Sequence, residues 1–365
     1  MAEATYTADG HFTFDTSNGS DKWTLNIPAS RYVQNSGKTL RIGTVTGSGT
    51  LGGTCTFSSA GNSNINTWQV GNSTNFTFAG GVVDNAKFTK MGTGKMTVTG
   101  KGTWTTTGSV AVNEGELHFN SSSTLGKGVL TVAKDAILSG STGLTYATSS
   151  TTPMTNSSTT VNGTLQVGST ATSTSGYICF GGKNLAFGTT GTLMVGVSSC
   201  STGTSVPGCT HIYGMKDQPA GTLTFNDGST IKVYLASTYD LAASIGVDEA
   251  KADSFCLFRN FATVKFGNVK YDLPELPNNY YWDTSNVKNG WLYVRYTSVD
   301  GIKNVLSSTV VDVEAINASG VTVATFRCTM SEAKARFASM PLPKGIYVLN
   351  YRKNKQSCGR ITVRK

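Results

Sequence analysis

A five-residue pattern recurs along most of this chain: a glycine followed, two and four positions later, by apolar residues. Alternate side chains of a β-strand point to the same face, so each copy predicts a turn glycine and then a short strand with one apolar face. Strands this short bury that face by stacking on similar strands. The eight copies are GTCTF (53–57), GKMTV (94–98), GELHF (115–119), GVLTV (128–132), GTLQV (163–167), GTLMV (191–195), GTLTF (221–225) and GWLYV (290–294).

The uneven spacing of the copies helps to choose between the possible all-β architectures. A leucine-rich-type solenoid has a fixed period, whereas the coils of a parallel β-helix tolerate loops of different length. A β-sandwich is the alternative, but so many similar short strands favour the β-helix. With 42 Gly, 38% hydrophobic and only 14% charged residues, the composition indicates strands and turns and not disorder. We therefore predict an all-β protein built around a right-handed parallel β-helix.

Residues 78–140 resemble the autotransporter-associated β-strand repeat. They carry a Phe-x-Gly rung, a Lys-x-Gly-x-Gly turn before an apolar strand, a Thr-rich rung and a later Gly-x-Leu strand. Residues 271–294 are similar to the closing segment of such passengers, with a Leu-Pro pair, an aromatic-Trp-Asp-Thr-Ser turn and a final Gly-x-Leu strand. The resemblance implies a β-helix over residues 30–297 and implies little about activity. The matching positions in the first segment are Phe78, Gly80, Lys90, Gly92, Gly94, Gly115 and Leu117.

Residues 1–29 fit the repeat less well. They read as two strands around Asn18 and Gly19, which predicts an N-terminal cap or hairpin over the open end of the solenoid. A solenoid needs such a cap because its first rung would otherwise present unpaired backbone groups to other chains.

Residues 298–365 have longer alternating strands joined by short turns, which predicts a small antiparallel β-sandwich; only 331–340 has helical spacing. The chain ends with Leu-Pro-x-Gly-x-Tyr-Val, a basic hairpin and Ile-x-Val-x-Lys. This end is similar to the C-terminal sorting domain of the type IX secretion system of Bacteroidota. Tyr347 and Leu349 are expected to point to one side as part of a small core. The sorting-signal residues that the resemblance implies are Leu342, Pro343, Gly345, Tyr347, Arg360, Val363 and Lys365.

The same resemblance implies a life history. The chain would cross the outer membrane through the type IX machinery, which recognises the C-terminal domain. It would then be displayed on the cell surface, where such proteins are often linked to lipopolysaccharide, or be released outside the cell.

The positive charge of the chain is concentrated at its C-terminal end. The formal net charge is +9, from 30 Lys and Arg against 21 Asp and Glu, and seven of the basic residues lie in 342–365. The remaining 23 basic and 21 acidic residues nearly cancel. Because nucleic-acid binding needs clustered cations, we expect no nucleic-acid partner for the body of the chain.

No apolar run approaches the roughly 20 residues of a membrane helix, so we expect no transmembrane span. The first ten residues lack the charged and apolar regions of a signal peptide, which we interpret as a leader already removed.

Seven cysteines are scattered without a CxxC pair, so zinc-ribbon and thioredoxin-like sites have no support. Cys200 and Cys209 flank a turn-rich loop and are the candidates for a disulfide in an oxidising compartment. Free, half-buried thiols are the alternative.

Among the three histidines, His118 has acidic neighbours at strand spacing. Glu114, Glu116 and His118 are expected to project together from the face opposite Leu117. Such a row suggests a metal or acid/base site, but no second histidine is assignable nearby, and an ordinary solvated face is the alternative. The chain has neither a GxSxG elbow nor a full phosphate-loop spacing. We therefore assign no catalytic residue, no metal and no cofactor from sequence.

These features favour a non-enzymatic surface binding module. We expect an adhesin or recruiter of an external host protein, such as a secreted protease or mucosal glycoprotein, or of a glycan, because stacked rungs present a long, stiff, polar face. Two alternatives stay open. One is a carbohydrate-active enzyme, which requires distant carboxylates to converge; the other is a passive stalk for a further N-terminal domain.

Overall fold

The computed structural model divides the chain into two compact units. The first comprises residues 1–239, 255–273 and 287–291, and the second comprises 240–254, 274–286 and 292–365. The residues that the structure describes are 3–8, 12–13, 19–35, 37–52, 54–55, 64–100, 104, 106–119, 128–140, 144–145, 158–180, 184–198, 209–214, 220–277, 279–297, 310–329, 332–353 and 356–365.

The first unit is a parallel β-helix, as predicted. Each complete coil runs from a strand of a first sheet, through a tight turn, to a strand of a second sheet and then to a short third side. The first sheet contains Ala4–Thr7, Ser20–Ile27, Thr39–Gly47, Thr67–Val70, Lys87–Lys90, Val110–Val112, Leu130–Val132, Ser158–Val161, Asn184–Phe187, Ala220–Phe225 and Phe261–Phe266. The second contains Phe76–Phe78, Lys95–Val98, Glu116–Phe119, Ile137–Gly140, Thr164–Val167, Thr192–Val197, Thr230–Leu235 and Lys270–Asp272.

The third side consists of two short parallel sheets. One contains Phe12–Thr13, Tyr32–Gln34, Thr50–Leu51 and Gly81–Val82, and the other contains Leu144–Thr145, Tyr177–Cys179, His211–Tyr213 and Phe258–Arg259. A separate antiparallel pair joins Thr54–Cys55 and Asn64–Ile65.

The interior of the first unit consists of apolar columns that stack from coil to coil. In the second sheet one column runs through Met96, Leu117, Leu138, Leu165 and Leu193, all fully buried. Full burial of such a side chain contributes roughly 1.5–3 kcal/mol. Because the contacts are between coils, each rung is stabilised by its neighbours.

The recurrent pentapeptide predicts a strand correctly but does not specify its sheet. The copies at 94–98, 115–119, 163–167 and 191–195 supply strands of the second sheet, and those at 128–132 and 221–225 supply strands of the first. The copy at 290–294 enters an antiparallel strand, Trp291–Tyr296. The pentapeptide specifies only that one face of the strand is buried. Strands of the first sheet, the second sheet and the antiparallel pair all have such a face.

Two glycines of the repeat are required by the turn between the first two sheets. Gly92 has φ +70°, a left-handed conformation that favours glycine. A Cβ at Gly94 would lie 2.1 Å from the carbonyl oxygen of Thr74 on the preceding coil. The glycines therefore let successive coils approach at the spacing of a parallel sheet.

The N-terminal segment joins the parallel stack. Ala4–Thr7 pairs in parallel with Ser20–Ile27, and Phe12–Thr13 pairs in parallel with Tyr32–Gln34. These pairings are parallel, whereas a hairpin has antiparallel neighbours. Because residues 14–18 lie outside the described residues, the predicted cap or hairpin stays a prediction. A Cβ at Gly19 would lie 1.9 Å from the carbonyl oxygen of Arg41 on the next coil. Gly19 thus allows this segment to stack closely on the next coil.

Parallel stacking ends at Lys270–Asp272. Beyond it, Tyr280–Asp283 pairs antiparallel with Trp291–Tyr296, and Ala252–Cys256 lies on the other side of that strand. Trp282 is buried and its indole N–H donates to the carbonyl oxygen of Pro274 at 2.8 Å. The short helices of this part of the chain are the α-helix Leu241–Ser244 and the 3₁₀ helix Val287–Asn289.

The C-terminal part of the second unit is a four-stranded antiparallel sheet. Its strands lie in the order Thr322–Thr329, Val310–Asn317, Ile346–Lys353 and Gln356–Arg364. One face packs on helix Ala333–Ala338, the segment that the sequence marked as helical. The core includes Val313, Phe337, Tyr347 and Leu349, so the predicted inward direction of the last two is confirmed.

Candidate functional site

The second sheet carries a polar row opposite its leucine column. Glu116 and His118 lie two residues apart on one strand, and Ser139 lies beside His118 on the next strand. The hydroxyl oxygen of Ser139 is 2.7 Å from Nδ1 of His118 and 2.6 Å from Oε1 of Glu116. His118 is 4% exposed and Ser139 is fully buried, so this part of the row is not a solvated face.

Hydrogen-bond directions in the row follow from its chemistry. The hydroxyl of Ser139 donates its single proton to the Glu116 carboxylate, so it accepts from His118. A neutral His118 therefore carries its proton on Nδ1. Burial and the ammonium of Lys95 lower the pKa of His118 against the opposing effect of Glu116. Lys95 Nζ lies 2.9 Å from Oε1 of Glu116 and neutralises that carboxylate.

This geometry is that of a structural relay. In a Ser-His-acid triad the imidazole accepts the serine proton, and the carboxylate holds the other ring nitrogen. Here the serine proton goes to Glu116, and the carboxylate lies on the same side of the ring as the serine. The relay ties three successive strands together through Lys95, Glu116 and Ser139.

Glu114, the third predicted member of the row, lies apart from it. It is an exposed residue of the turn before the strand, and its carboxylate accepts a hydrogen bond from the amide of Gly92 at 3.1 Å. Strand alternation could not place it correctly because the strand begins at Glu116.

Lys90 occupies a core column of the first sheet, between Val70 and Val112. Its fully buried ammonium donates to the carbonyl oxygens of Met91, Gly92 and Glu114, at 2.9, 2.8 and 3.2 Å. Burial lowers the pKa of Lys90 to about 8, with nearby Glu114 opposing the shift. The lysine of the Lys-x-Gly-x-Gly motif therefore bridges the turns of two coils from inside.

The third side of the β-helix presents a patch that sequence reasoning missed, which we call the Tyr/Arg patch: Tyr177, His211, Tyr213 and Arg259. They lie on three consecutive parallel strands. The ring centroids of Tyr177 and Tyr213 are 5.0 Å apart, and the guanidinium carbon of Arg259 lies 5.8 Å from the Tyr213 centroid. Tyr177 is 36% exposed, and Arg259 is also exposed.

Protonation in the Tyr/Arg patch is fixed by burial. Burial, with the neighbouring Cys179 and Tyr177, raises the pKa of Tyr213, so its phenol is neutral. Burial and Arg259 lower the pKa of His211. Nη2 of Arg259 lies 3.4 Å from Nε2 of His211, where a neutral ring accepts. The patch therefore carries one positive charge, on Arg259. The signal in the sequence was the alternation of His211 and Tyr213 around Ile212.

Several residues implied as a sorting signal hold the C-terminal fold together. Gly345 and Lys365 exchange both backbone hydrogen bonds, at 3.2 and 2.9 Å. The hydroxyl of Tyr347 donates to the carbonyl oxygen of Pro343 at 2.8 Å. The ammonium of Lys365 donates to the carbonyl oxygens at the end of the helix, those of Phe337, Ala338 and Met340.

The remaining signal residues divide by exposure. Leu342 and Val363 are partly buried against the C-terminal core, whereas Arg360 is exposed. Of the implied signal residues, only Arg360 therefore has an exposed charge that forms no hydrogen bond or ion pair within the described fold.

The predicted disulfide stays a prediction because Cys200 lies outside the described residues. Cys209 is buried, and its sulfur lies 3.1 Å from the carbonyl oxygen of Cys256. Burial raises the pKa of the Cys256 thiol to about 11, which keeps it protonated.

Within the described ranges, no three His, Cys, Asp or Glu side chains are grouped to hold a metal ion. The helices of the described chain are all too short or too polar to cross a membrane. In comparisons with known proteins, no protein-family model and no curated protein sequence matches this chain.

Proposed function

We propose that the chain is a secreted, non-enzymatic binding module of the bacterial cell surface, exported by a type IX system, whose β-helix binds acidic glycans. The observation that carries the binding proposal is the exposed guanidinium of Arg259 beside the rings of Tyr177 and Tyr213.

The chemistry of the Tyr/Arg patch fits a sugar that carries a carboxylate or sulfate. Arg binds such groups in a bidentate fashion, and none of the described acidic residues forms an ion pair with Arg259. The partly exposed ring of Tyr177 offers an apolar surface to the CH groups of a pyranose. The phenol and imidazole beside it are neutral, so they do not oppose an anion.

The β-helix holds these side chains in advance of binding. They stand on adjacent parallel strands, about 4.8 Å apart, and strand register fixes Tyr177 against His211 and Tyr213 against Arg259. A preorganised patch loses less conformational entropy when a ligand binds. This supports a binding role for the rigid solenoid.

The enzymatic alternative has less support in the described residues. A glycosidase needs two carboxylates about 5–10 Å apart on either side of the scissile bond. The polar row of the second sheet offers one carboxylate, Glu116, and that group is already engaged by Lys95 and Ser139.

A glycan array of sialylated, sulfated and uronic-acid sugars with neutral counterparts tests the binding proposal. The full chain should bind acidic members, and Arg259→Gln should weaken binding about tenfold or more, which corresponds to ~1.4 kcal/mol. Lys265→Gln, which removes an equal charge from an exposed position of the first sheet, is the matched control and should bind normally. Equal binding by Arg259→Gln would contradict the proposal. Binding of the chain to deglycosylated proteins but to no acidic glycan would also contradict it.

The export proposal is supported by the resemblance of residues 342–365 to type IX signals. Expression behind a signal peptide for the inner membrane, in a Bacteroidota host with an active type IX system, tests it. The chain truncated after Thr297 should stay in the periplasm while the full chain reaches the surface. Surface display of the truncated chain at the normal level would refute export through this domain.

A further inference from the structure

The last strand of the chain, Gln356–Arg364, is an edge strand. In the described residues it pairs only with Ile346–Lys353. Since Gly345 and Lys365 exchange both backbone hydrogen bonds, the hydrogen-bonded positions facing the neighbouring strand are the odd-numbered ones, Val363 and Ile361. The N–H and C=O groups of Arg360, Thr362 and Arg364 therefore point to the free edge. Long edge strands of this kind are templates for pairing with another chain.

Two exposed side chains of this strand, those of Arg360 and Arg364, are basic and have no acidic partner among the described residues. Arg360 and Arg364 are exposed on the sheet face opposite the helix. No described carboxylate forms an ion pair with either of them, or with Lys334 on the helix. Basic side chains therefore lie at this edge on both faces of the sheet.

A groove of about 560 Å³ lies between this strand and the helix. Its lining residues are Lys334, Phe337, Ala338, Thr362, Val363, Arg364 and Lys365. Lys365 reaches across its end to the helix carbonyls, so the groove is closed there by a fixed side chain. Phe337, Ala338 and Val363 give it an apolar floor. An extended segment added to the edge would place alternate side chains over this floor.

The sheet already contains an example of the segment that would fit. Strand Val310–Asn317, with sequence VVDVEAIN, alternates apolar and acidic residues. Its core side chains are Val311, Val313 and Ala315. On the other face Asp312 lies 3.7 Å from Arg327 and Glu314 lies 3.0 Å from Arg352. At the free edge, Arg360 and Arg364 are available for the same kind of ion pair with the acidic side chains of an added segment.

We propose that the Gln356–Arg364 edge binds an extended acidic-apolar segment of a partner protein by strand addition. The partner's acidic side chains face Arg360 and Arg364, its apolar side chains enter the groove beside Phe337, and its backbone pairs with Arg360, Thr362 and Arg364. This inference does not depend on the proposed glycan binding or on export. A second copy of this chain is disfavoured as occupant because edge-to-edge pairing would bring arginines against arginines.

A labelled peptide VVDVEAIN, read by fluorescence anisotropy with the full chain, tests the proposal. The peptide should bind, and VVNVQAIN, its uncharged counterpart, should bind at least tenfold more weakly. Arg364→Gln and Arg360→Gln should each weaken binding severalfold. Arg327→Gln, an exposed arginine on the opposite edge strand, should leave binding unchanged.

Backbone pairing is tested separately. Thr362→Pro removes a donor from the free edge and none from the bond to Ile346–Lys353, so it should abolish peptide binding while the circular dichroism spectrum is retained. Peptide binding should also slow amide exchange at Arg360, Thr362 and Arg364. Equal binding of both peptides, binding without amide protection, or concentration-dependent self-association in place of peptide binding would each overturn the proposal. Absence of peptide binding would also overturn the proposal, because the basic residues would then serve only to prevent pairing of the edge with other chains.

Discussion

The hydroxyl oxygen of Ser139 lies 2.7 Å from Nδ1 of His118, although the two residues are 21 positions apart and belong to different coils. The same hydroxyl donates to Glu116, so one buried serine holds an imidazole and a carboxylate in a fixed relation. Buried polar groups stabilise a fold only when each is satisfied. Both hydrogen bonds form only when Ser139 lies beside His118, so the relay specifies how these two coils stack.

Ser139→Ala is expected to destabilise the β-helix. The substitution leaves Nδ1–H of His118 without its buried acceptor, which costs about 1–3 kcal/mol of unfolding free energy. Urea unfolding followed by the fluorescence of the buried Trp68 and Trp104 measures the change. Thr131→Ala, at an exposed position of the first sheet, is the control and should change stability by less than about 0.5 kcal/mol. Equal loss in both variants would remove the relay's structural role.

Stability should fall as the pH drops below about 6.5, the unperturbed histidine value. Because burial and Lys95 lower the pKa of folded His118, the unfolded chain binds this proton more readily than the folded chain. Burial and Arg259 lower the pKa of His211, which acts in the same direction. Unfolding free energies measured between pH 5 and 8 should therefore decrease toward pH 5.

His118→Gln should flatten part of this slope, and His211→Gln another part. Nitrogen NMR of the imidazole should find the His118 proton on Nδ1 at pH 7. A stability maximum at pH 5, or a slope unchanged in both variants, contradicts the assignment.

The sequence predicts alternation within a strand better than contacts between coils. Leu117 in the core and His118 on the opposite face follow from period-two patterning alone. The link to Ser139 depends on which later strand stacks beside His118, and coil lengths vary too much for sequence to specify it. The Tyr/Arg patch has the same origin, since its members come from three separate coils.

Lys90 marks a different limit of sequence reasoning. Lysine is rarely fully buried in proteins, yet Lys90 stands in a valine column and is fully buried. Its ammonium finds three carbonyl oxygens because two turns meet at that point. Such acceptors belong to the backbone, and residue types do not reveal them.

Gly94→Ala is expected to destabilise the β-helix by about 3 kcal/mol, because overpacking forces backbone shifts. The new methyl group would lie 2.1 Å from the Thr74 carbonyl oxygen, so two coils would have to separate. In Gly345→Ala the nearest atom to the new methyl is 3.5 Å away, on the side chain of Tyr347, and stability should change little. Thermal unfolding by circular dichroism compares the two. A Gly94→Ala protein as stable as the parent would contradict close coil contact at this turn.

Lys365→Met should loosen the C-terminal sheet and its helix. The ammonium of Lys365 satisfies carbonyls at the helix C-terminus and lies 5.3 Å from the Phe337 ring centroid. We expect a loss of about 1–3 kcal/mol and faster amide exchange in helix Ala333–Ala338, measured by hydrogen-deuterium exchange. Lys344→Met, which removes the same charge from an exposed position, should leave exchange unchanged.

This comparison also separates two roles of the basic tail. If Lys365→Met impairs export only as far as it loosens the helix, Lys365 acts through the fold. Unchanged exchange with lost export would make it a direct contact of the secretion machinery. Arg360, which is exposed and unused by the described fold, should show the second behaviour, because Arg360→Gln removes a charge without removing a described hydrogen bond.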